Sequence, residues 1–282
     1  MSNNIPEIAD IVELQAWATD RPYSISALKE ELEAALPQDE QANAERLARE
    51  AFEEMSERAR LLDSAYPFTH DGVTLAPNSH ETSSSYLFCL GLTWFEDITL
   101  RLRTSEFESV VKAAAESYFR GKAIRIGAPW ANGEITSYEA LLNMVSDLIP
   151  DLGPPVQKEA PGGGDAGWDV VVVNNFSDKK FSRIIALGNC ATGRTNWRSK
   201  GLETQPTLFW SFFTRPPHSY NVCLTFIAVP FLMTEDDKLR KAGQTCITFD
   251  RVRICEHAPS ASSHAMQWLG SKKQAALDLP FL

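Results

Sequence analysis

Apolar positions in the first third of the chain recur at helical spacing. Pro6 suits a first helical turn, and Ile8, Ile11, Val12 and Ala16 then mark one face of a helix. A second start at Ser24 or Ser26 runs to Pro37, which ends it. From Gln38 to about Leu62, Ala44, Leu47, Ala51 and Met55 form one stripe in a stretch otherwise rich in Glu and Arg, which predicts a long amphipathic helix. Pro67 and Asp71-Gly72 punctuate Tyr66 to Gly72 as a turn, and the polar run from Asn78 to Ser85 reads as a connector. The apolar run from Tyr86 to Leu100 predicts a buried helix. Another is predicted from Ser105 to Phe119, opened by the capping-box pattern Ser105-x-x-Glu108.

Beyond residue 120 the period shortens. Ala123 to Gly127 alternates as a strand does, and a helix is expected from about Ser137 to Leu148, stopping before Pro150. Pro154, Pro155, Pro161 and three consecutive glycines make Pro150 to Gly164 a loop. Val170 to Asn174 and Ile184 to Gly188 are apolar runs joined through Asn175 to Asp178, which predicts two adjacent core strands. Further strands are expected at Val222 to Val229 and Cys246 to Ile254. The alternation predicts an α/β fold, a central mixed sheet flanked by helices, preceded by a helical N-terminal region. The expected division is a helical region over 1–100, regulatory or partner-docking, and a second domain over 101–282.

Composition narrows the classes. No run approaches the roughly 20 apolar residues of a membrane helix, and the opening MSNNIPEIAD lacks a basic region and an apolar signal core, so no membrane and a cytoplasmic address are expected. The five cysteines include no CxxC pair and read as reduced core residues. The five histidines lack zinc-site spacing, and neither a Walker loop nor a dinucleotide-binding glycine pattern is present. A net charge of −10 argues against a nucleic-acid partner until its distribution is considered: residues 1–60 carry 14 acidic and 6 basic side chains, and the remainder 23 and 21. The acidity belongs to the N-terminal helices, whose surface is either plain solvated surface or a dock for a partner protein. The nearly neutral remainder accommodates a basic strip from Lys179, Lys180, Arg183, Arg194, Arg198, Lys200, Arg251 and Arg253.

Chemistry concentrates where Asp165-Ala166-Gly167-Trp168-Asp169 runs into Val170-Val171-Val172-Val173. A carboxylate at the mouth of a buried strand, beside glycines that let a phosphate backbone approach, can hold Mg²⁺ through oxygen while leaving room for water and substrate. The same aspartates could instead cap a turn. The next predicted strand leads into Asn189-Cys190-Ala191-Thr192-Gly193-Arg194-Thr195-Asn196-Trp197-Arg198-Ser199-Lys200.

A helix carrying Phe107-Glu108, Asp165-x-Gly-x-Asp169 opening a strand, and a second strand ending in polar Asn189 together resemble the PD-(D/E)xK nuclease superfamily, particularly its Mrr-like restriction-endonuclease branch. The resemblance spans about residues 104 to 254. It implies a restriction-endonuclease-like sheet and metal-dependent cleavage of DNA as a bacterial anti-phage defence effector, with Mg²⁺ or Mn²⁺ as cofactor. RNA and homo-oligomer formation stay open. Carried over by position, the metal ligands are Glu108 and Asp169, Asp165 is a third expected ligand beside them, and the second acidic or Gln position is Asn189. The lysine position falls on Ala191, whose methyl group cannot orient or deprotonate water; Lys200 or Arg194 is the replacement the resemblance suggests. Arg194, Asn196, Trp197 and Arg198 would then face nucleic acid. Asn189 and Ala191 equally suit a catalytically degenerate module that binds nucleic acid or a partner protein without cutting.

Overall fold

The structure is a computed structural model that describes residues 5–78, 83–95, 100–127, 137–159, 167–195, 197–198, 200, 206–217, 221–244 and 246–281, with 100–103 as backbone alone. The chain forms two compact units, one of residues 1–96 and 259–282, the other of 97–258. No described helix is long and apolar enough to cross a membrane.

The first unit opens with α1 (Ile5–Thr19), β1 (Tyr23–Ser24), α2 (Ile25–Ala35) and α3 (Ala44–Leu62). Ser24 starts α2 as a true cap, its hydroxyl accepting from the Ala27 amide at 3.2 Å. The predicted stripe of α3 is buried, and Ala48 and Phe52 widen it, so its apolar face is already covered within its own unit. The segment read as a turn at 66–72 resolves into β2 (Phe68–His70) and a tight hairpin to β3 (Thr74–Pro77). Asp71 closes that hairpin by accepting from the Val73 and Thr74 amides at 3.0 and 2.7 Å, while Gly72 takes the positive φ of 95°.

The helix expected over Tyr86 to Leu100 is α4 (Ser84–Trp94), which ends at Phe95. A new helix, α5 (Leu100–Tyr118), is under way by Leu100 and opens the second unit. Ser105 therefore lies inside α5 rather than at its N-terminus, where the expected capping box would have put it. After β4 (Lys122–Arg125) and α6 (Tyr138–Leu148), β5 (Val170–Asn174) and β6 (Ile184–Cys190) pair antiparallel. The chain then runs through α7 (Pro206–Trp210), β7 (Val222–Ala228), α8 (Glu235–Gly243), β8 (Cys246–Phe249) and α9 (Arg251–His257). The strand expected to continue to Ile254 stops at Phe249, because the Asp250 carboxylate accepts from the Arg253 amide at 3.2 Å and caps α9.

The five strands lie in the order β4-β5-β6-β7-β8, the first two junctions antiparallel and the last two parallel, which is the expected mixed α/β sheet. Both faces are covered. Val171, Val173, Ile185 and Leu187 meet α6 and the aromatics Phe209, Trp210, Phe212 and Phe213. On the other face Phe226 packs between Phe119, tilted at 5.9 Å, and Phe249, edge-on at 5.4 Å between centroids. Such two-sided burial is why β5 and β6 read as unbroken apolar runs.

In β6 Gly188 faces Phe226 in register, and a β-carbon there would stand 2.0 Å from the Phe226 ring. Gly188→Ala is expected to cost about 3 kcal/mol by overpacking, read as a lower denaturant midpoint, and to cost much less when Phe226→Leu accompanies it.

Past Pro259 the chain rejoins the first unit, contrary to a second domain extending to 282. Helices α10 (Ser263–Gly270) and α11 (Lys273–Leu277) bury Ala265, Leu269 and Ala276. Gly91 on α4 admits α10, since a β-carbon there would meet Leu269 at 2.4 Å.

Candidate functional site

The register gathers one end of the sheet into a site. Arg125 at the end of β4 partners Val170 at the start of β5, and Val170 partners Gly188 near the end of β6. Asp169, one residue before β5, is held on both sides. Its carbonyl accepts from the Ile126 and Gly127 amides at 2.7 and 3.1 Å, and its own amide donates to the Gly188 carbonyl at 2.9 Å. Its half-buried carboxylate accepts from the Cys190 amide at 2.6 Å. Asp169 therefore stands where the sequence predicted, at the mouth of a core strand with its backbone fixed.

Glu108 comes from the middle of α5 and is only 3% exposed. A β-carbon on Gly127 would lie 2.6 Å from its carboxylate, so the glycine lets the strand end close against it. Arg125 donates from Nη1 to Glu108 Oε2 at 2.8 Å and to the Gly127 carbonyl at 3.0 Å. Sequence reading missed Arg125, because in an alternating strand it reads as an outward-facing residue. No local signal marks it, because its partner Glu108 lies 17 positions earlier on another element.

Lys200 reaches the same place from the loop after β6, its ammonium donating to the Cys190 carbonyl at 3.2 Å. Electrostatics report the convergence. The Cys190 thiol is pushed well above the usual range, first by burial, then by Asp169 and Glu108, while Lys200 and Arg125 act in the opposite sense. Four charged side chains from α5, the end of β4, the mouth of β5 and the loop after β6 thus act on one buried sulfur.

The other predicted residues are placed differently. Asn189 is 3% exposed and donates its side-chain amide to the Gly167 carbonyl, so it braces the Gly167–Asp169 turn. Ala191 is buried among Trp197, Ile227, Val229, Phe231 and Met233, an apolar pocket in which a lysine ammonium would lose its solvation. Trp197, expected to face nucleic acid, is 2% exposed and belongs to this cluster. Arg198 is exposed but engaged, pairing both arms with Asp237 at 3.0 and 2.9 Å and holding the Asp237 carboxyl below its usual range. Arg194 is exposed. Asp165 and Asn196 lie outside the described residues.

Among the described residues no group of three or more His, Cys, Asp or Glu is placed to hold a metal ion. Among the described residues at this end of the sheet, Glu108 and Asp169 supply carboxylate oxygens. That donor set suits Mg²⁺, which commonly keeps several waters and uses one or two carboxylates with substrate phosphate; it does not suit an all-protein cage.

No family model matches the chain, and no curated protein is similar to it. Among solved structures, the crystal structure of protein VC1899 from Vibrio cholerae is similar at 12% identity and a TM-score of 0.23. The match covers 97% of this chain and 58% of that one, so this chain spans little more than half the length of its structural neighbour.

Proposed function

We propose that the second unit handles nucleic acid and hydrolyses its phosphodiester bonds with Mg²⁺ or Mn²⁺, DNA being the first substrate to test. The observation that carries this reading is that Asp169 and Lys200, distant in sequence, both bind the Cys190 backbone, while Glu108 packs against Gly127, whose amide donates to the Asp169 carbonyl. The helix α5 with Glu108, then β5 entered from Asp169, then β6 with Asn189 follow one another in the order that the resemblance uses, with β4 and α6 between the first two.

Glu108 and Asp169 would hold the ion. When bound, it offsets phosphate charge and acidifies water. Asp169, half-buried and fixed through its backbone, would present its carboxylate to substrate at the strand mouth, where it can accept a proton. Lys200 spends one donor on the Cys190 carbonyl, and an ammonium has three, so it can also bind a phosphate oxygen. Arg125 holds Glu108 in place and adds positive charge at the floor of the site.

Plasmid, linear DNA and RNA incubated with EDTA, Mg²⁺ or Mn²⁺ test this. The expected result is nicking that needs metal and stops with EDTA. A second reading, a module that binds without cutting, is favoured by the Arg125–Glu108 ion pair, which neutralises one of two carboxylates. Retention of DNA without cleavage in any metal selects it.

A further inference from the structure

We infer that Lys241 on α8 is a positioning residue for Lys200: it grips the backbone of the loop that carries Lys200 and so sets where that ammonium points. The inference rests on the reading that Lys200 serves phosphodiester cleavage. Lys241 is 4% exposed, unusual for a lysine. Its ammonium donates to the carbonyls of Arg198 and Lys200 at 2.9 and 3.0 Å and lies 5.8 Å from the centre of the Trp197 ring. All three contacts fall on the segment 197–200. Lys200, at the end of that segment, then places its own ammonium on the Cys190 carbonyl.

The rest of α8 behaves as a mount for this grip. One turn before Lys241, Asp237 binds the Arg198 guanidinium. Thr234 caps the helix through the Asp237 amide at 3.2 Å, and three acidic residues in the first turn with Arg240 and Lys241 in the last complement its dipole. Lys238 ties α8 to the buried Asp250 at 2.7 Å. Burial works against the charge on Lys241 and pulls its pKa down, a cost that an apolar residue packed on Trp197 would not carry. Using a lysine there makes sense if the two carbonyls must be held in one place. A loop held through backbone atoms keeps its lysine in register whatever the neighbouring surface side chains are.

The test compares Lys241→Met, Lys200→Met and the double variant with the wild-type chain, checking each by circular dichroism. Two readouts are needed. In the first, the acylation rate of the Lys200 amine under trace labelling, followed by mass spectrometry, is expected to change at least threefold in Lys241→Met, while exposed Lys158 labels unchanged. In the second, Lys241→Met is expected to lower kcat for metal-dependent nicking about tenfold with little change in KM, and to have no further effect once Lys200 is methionine. An unchanged Lys200 labelling rate, or an equal loss in the Lys200→Met background, overturns the positioning role. A labelling change in a protein that cleaves nothing leaves the positioning intact and removes the nuclease reading instead. Collapse of Lys241→Met is met by Lys241→Arg, which can keep a donor on the carbonyls and is expected to retain the wild-type labelling rate.

Discussion

Asp169→Asn is expected to reduce metal-dependent nicking about 100-fold or more while leaving the fold intact. The substitution is nearly isosteric, and an amide oxygen can still accept from the Cys190 amide that now meets Asp169 Oδ2 at 2.6 Å. The backbone bonds that place residue 169, to Ile126, Gly127 and Gly188, do not involve the side chain. What is lost is one negative charge of the two that can face a cation, and a group able to take a proton; positioned groups of this kind are worth about 100-fold or more. Arg125 already pairs with Glu108, so the substitution removes the second of the site's two carboxylates. The measurement is nicking rate against Mn²⁺ concentration, with thermal unfolding as control. A variant that cuts within a few-fold of wild type removes Asp169 from the chemistry.

The largest stability effect is expected from Arg58→Met in the first unit. Arg58 is 1% exposed, and its guanidinium lies 2.9 Å from Asp10, 3.0 Å from Glu13 and 3.0 Å from Glu54. Burial disfavours its charge, but Glu13, Tyr86, Asp10 and Glu54 outweigh that and hold it protonated. Glu13 also accepts from the Tyr66 hydroxyl at 2.7 Å and from Tyr86 at 2.8 Å, and Asp10 from the Trp94 indole at 3.2 Å. Methionine fills similar space yet leaves two buried carboxylates without their cation. Breaking a buried pair in this way costs about 3–5 kcal/mol. Chemical denaturation reads the loss directly. Glu13→Gln added to Arg58→Met is expected to recover part of it, because the stranded charge is then gone; a loss below about 1 kcal/mol for the single variant would mean that water already shares the network.

Much of this architecture was legible in the sequence. The stripe Ala44, Leu47, Ala51 and Met55 is the buried face of α3, and the valine run from 170 lies in β5. Boundaries were less legible where local signals competed. Ser105-x-x-Glu108 has the pattern of a helix start, but α5 is already several residues old at Ser105, and propagating an existing helix is cheaper than nucleating another. Cys246 to Ile254 has enough β-branched and apolar residues to read as a strand, yet the carboxylate of Asp250 caps a helix there.

At the candidate site, Asp169 could be picked out because aspartate entering an apolar strand is locally conspicuous, and Lys200 because it closes a distinctive loop. Arg125 and Lys241 could not. Their significance lies in partners 17 and 43 positions away, Glu108 and the Arg198 carbonyl, and nothing in local spacing announces such pairs.

Periodicity and turn chemistry are properties of neighbouring residues, so the sequence by itself determined the helical opening, the mixed α/β character of the second unit and the acidic residue at the strand mouth. Which charges meet, that Trp197 is packed inside, and that 259–282 returns to the first unit were decided only by the tertiary structure. Strand register and helix packing bring together groups far apart along the chain, and the energy of a buried charge depends on those neighbours far more than on its place in the sequence.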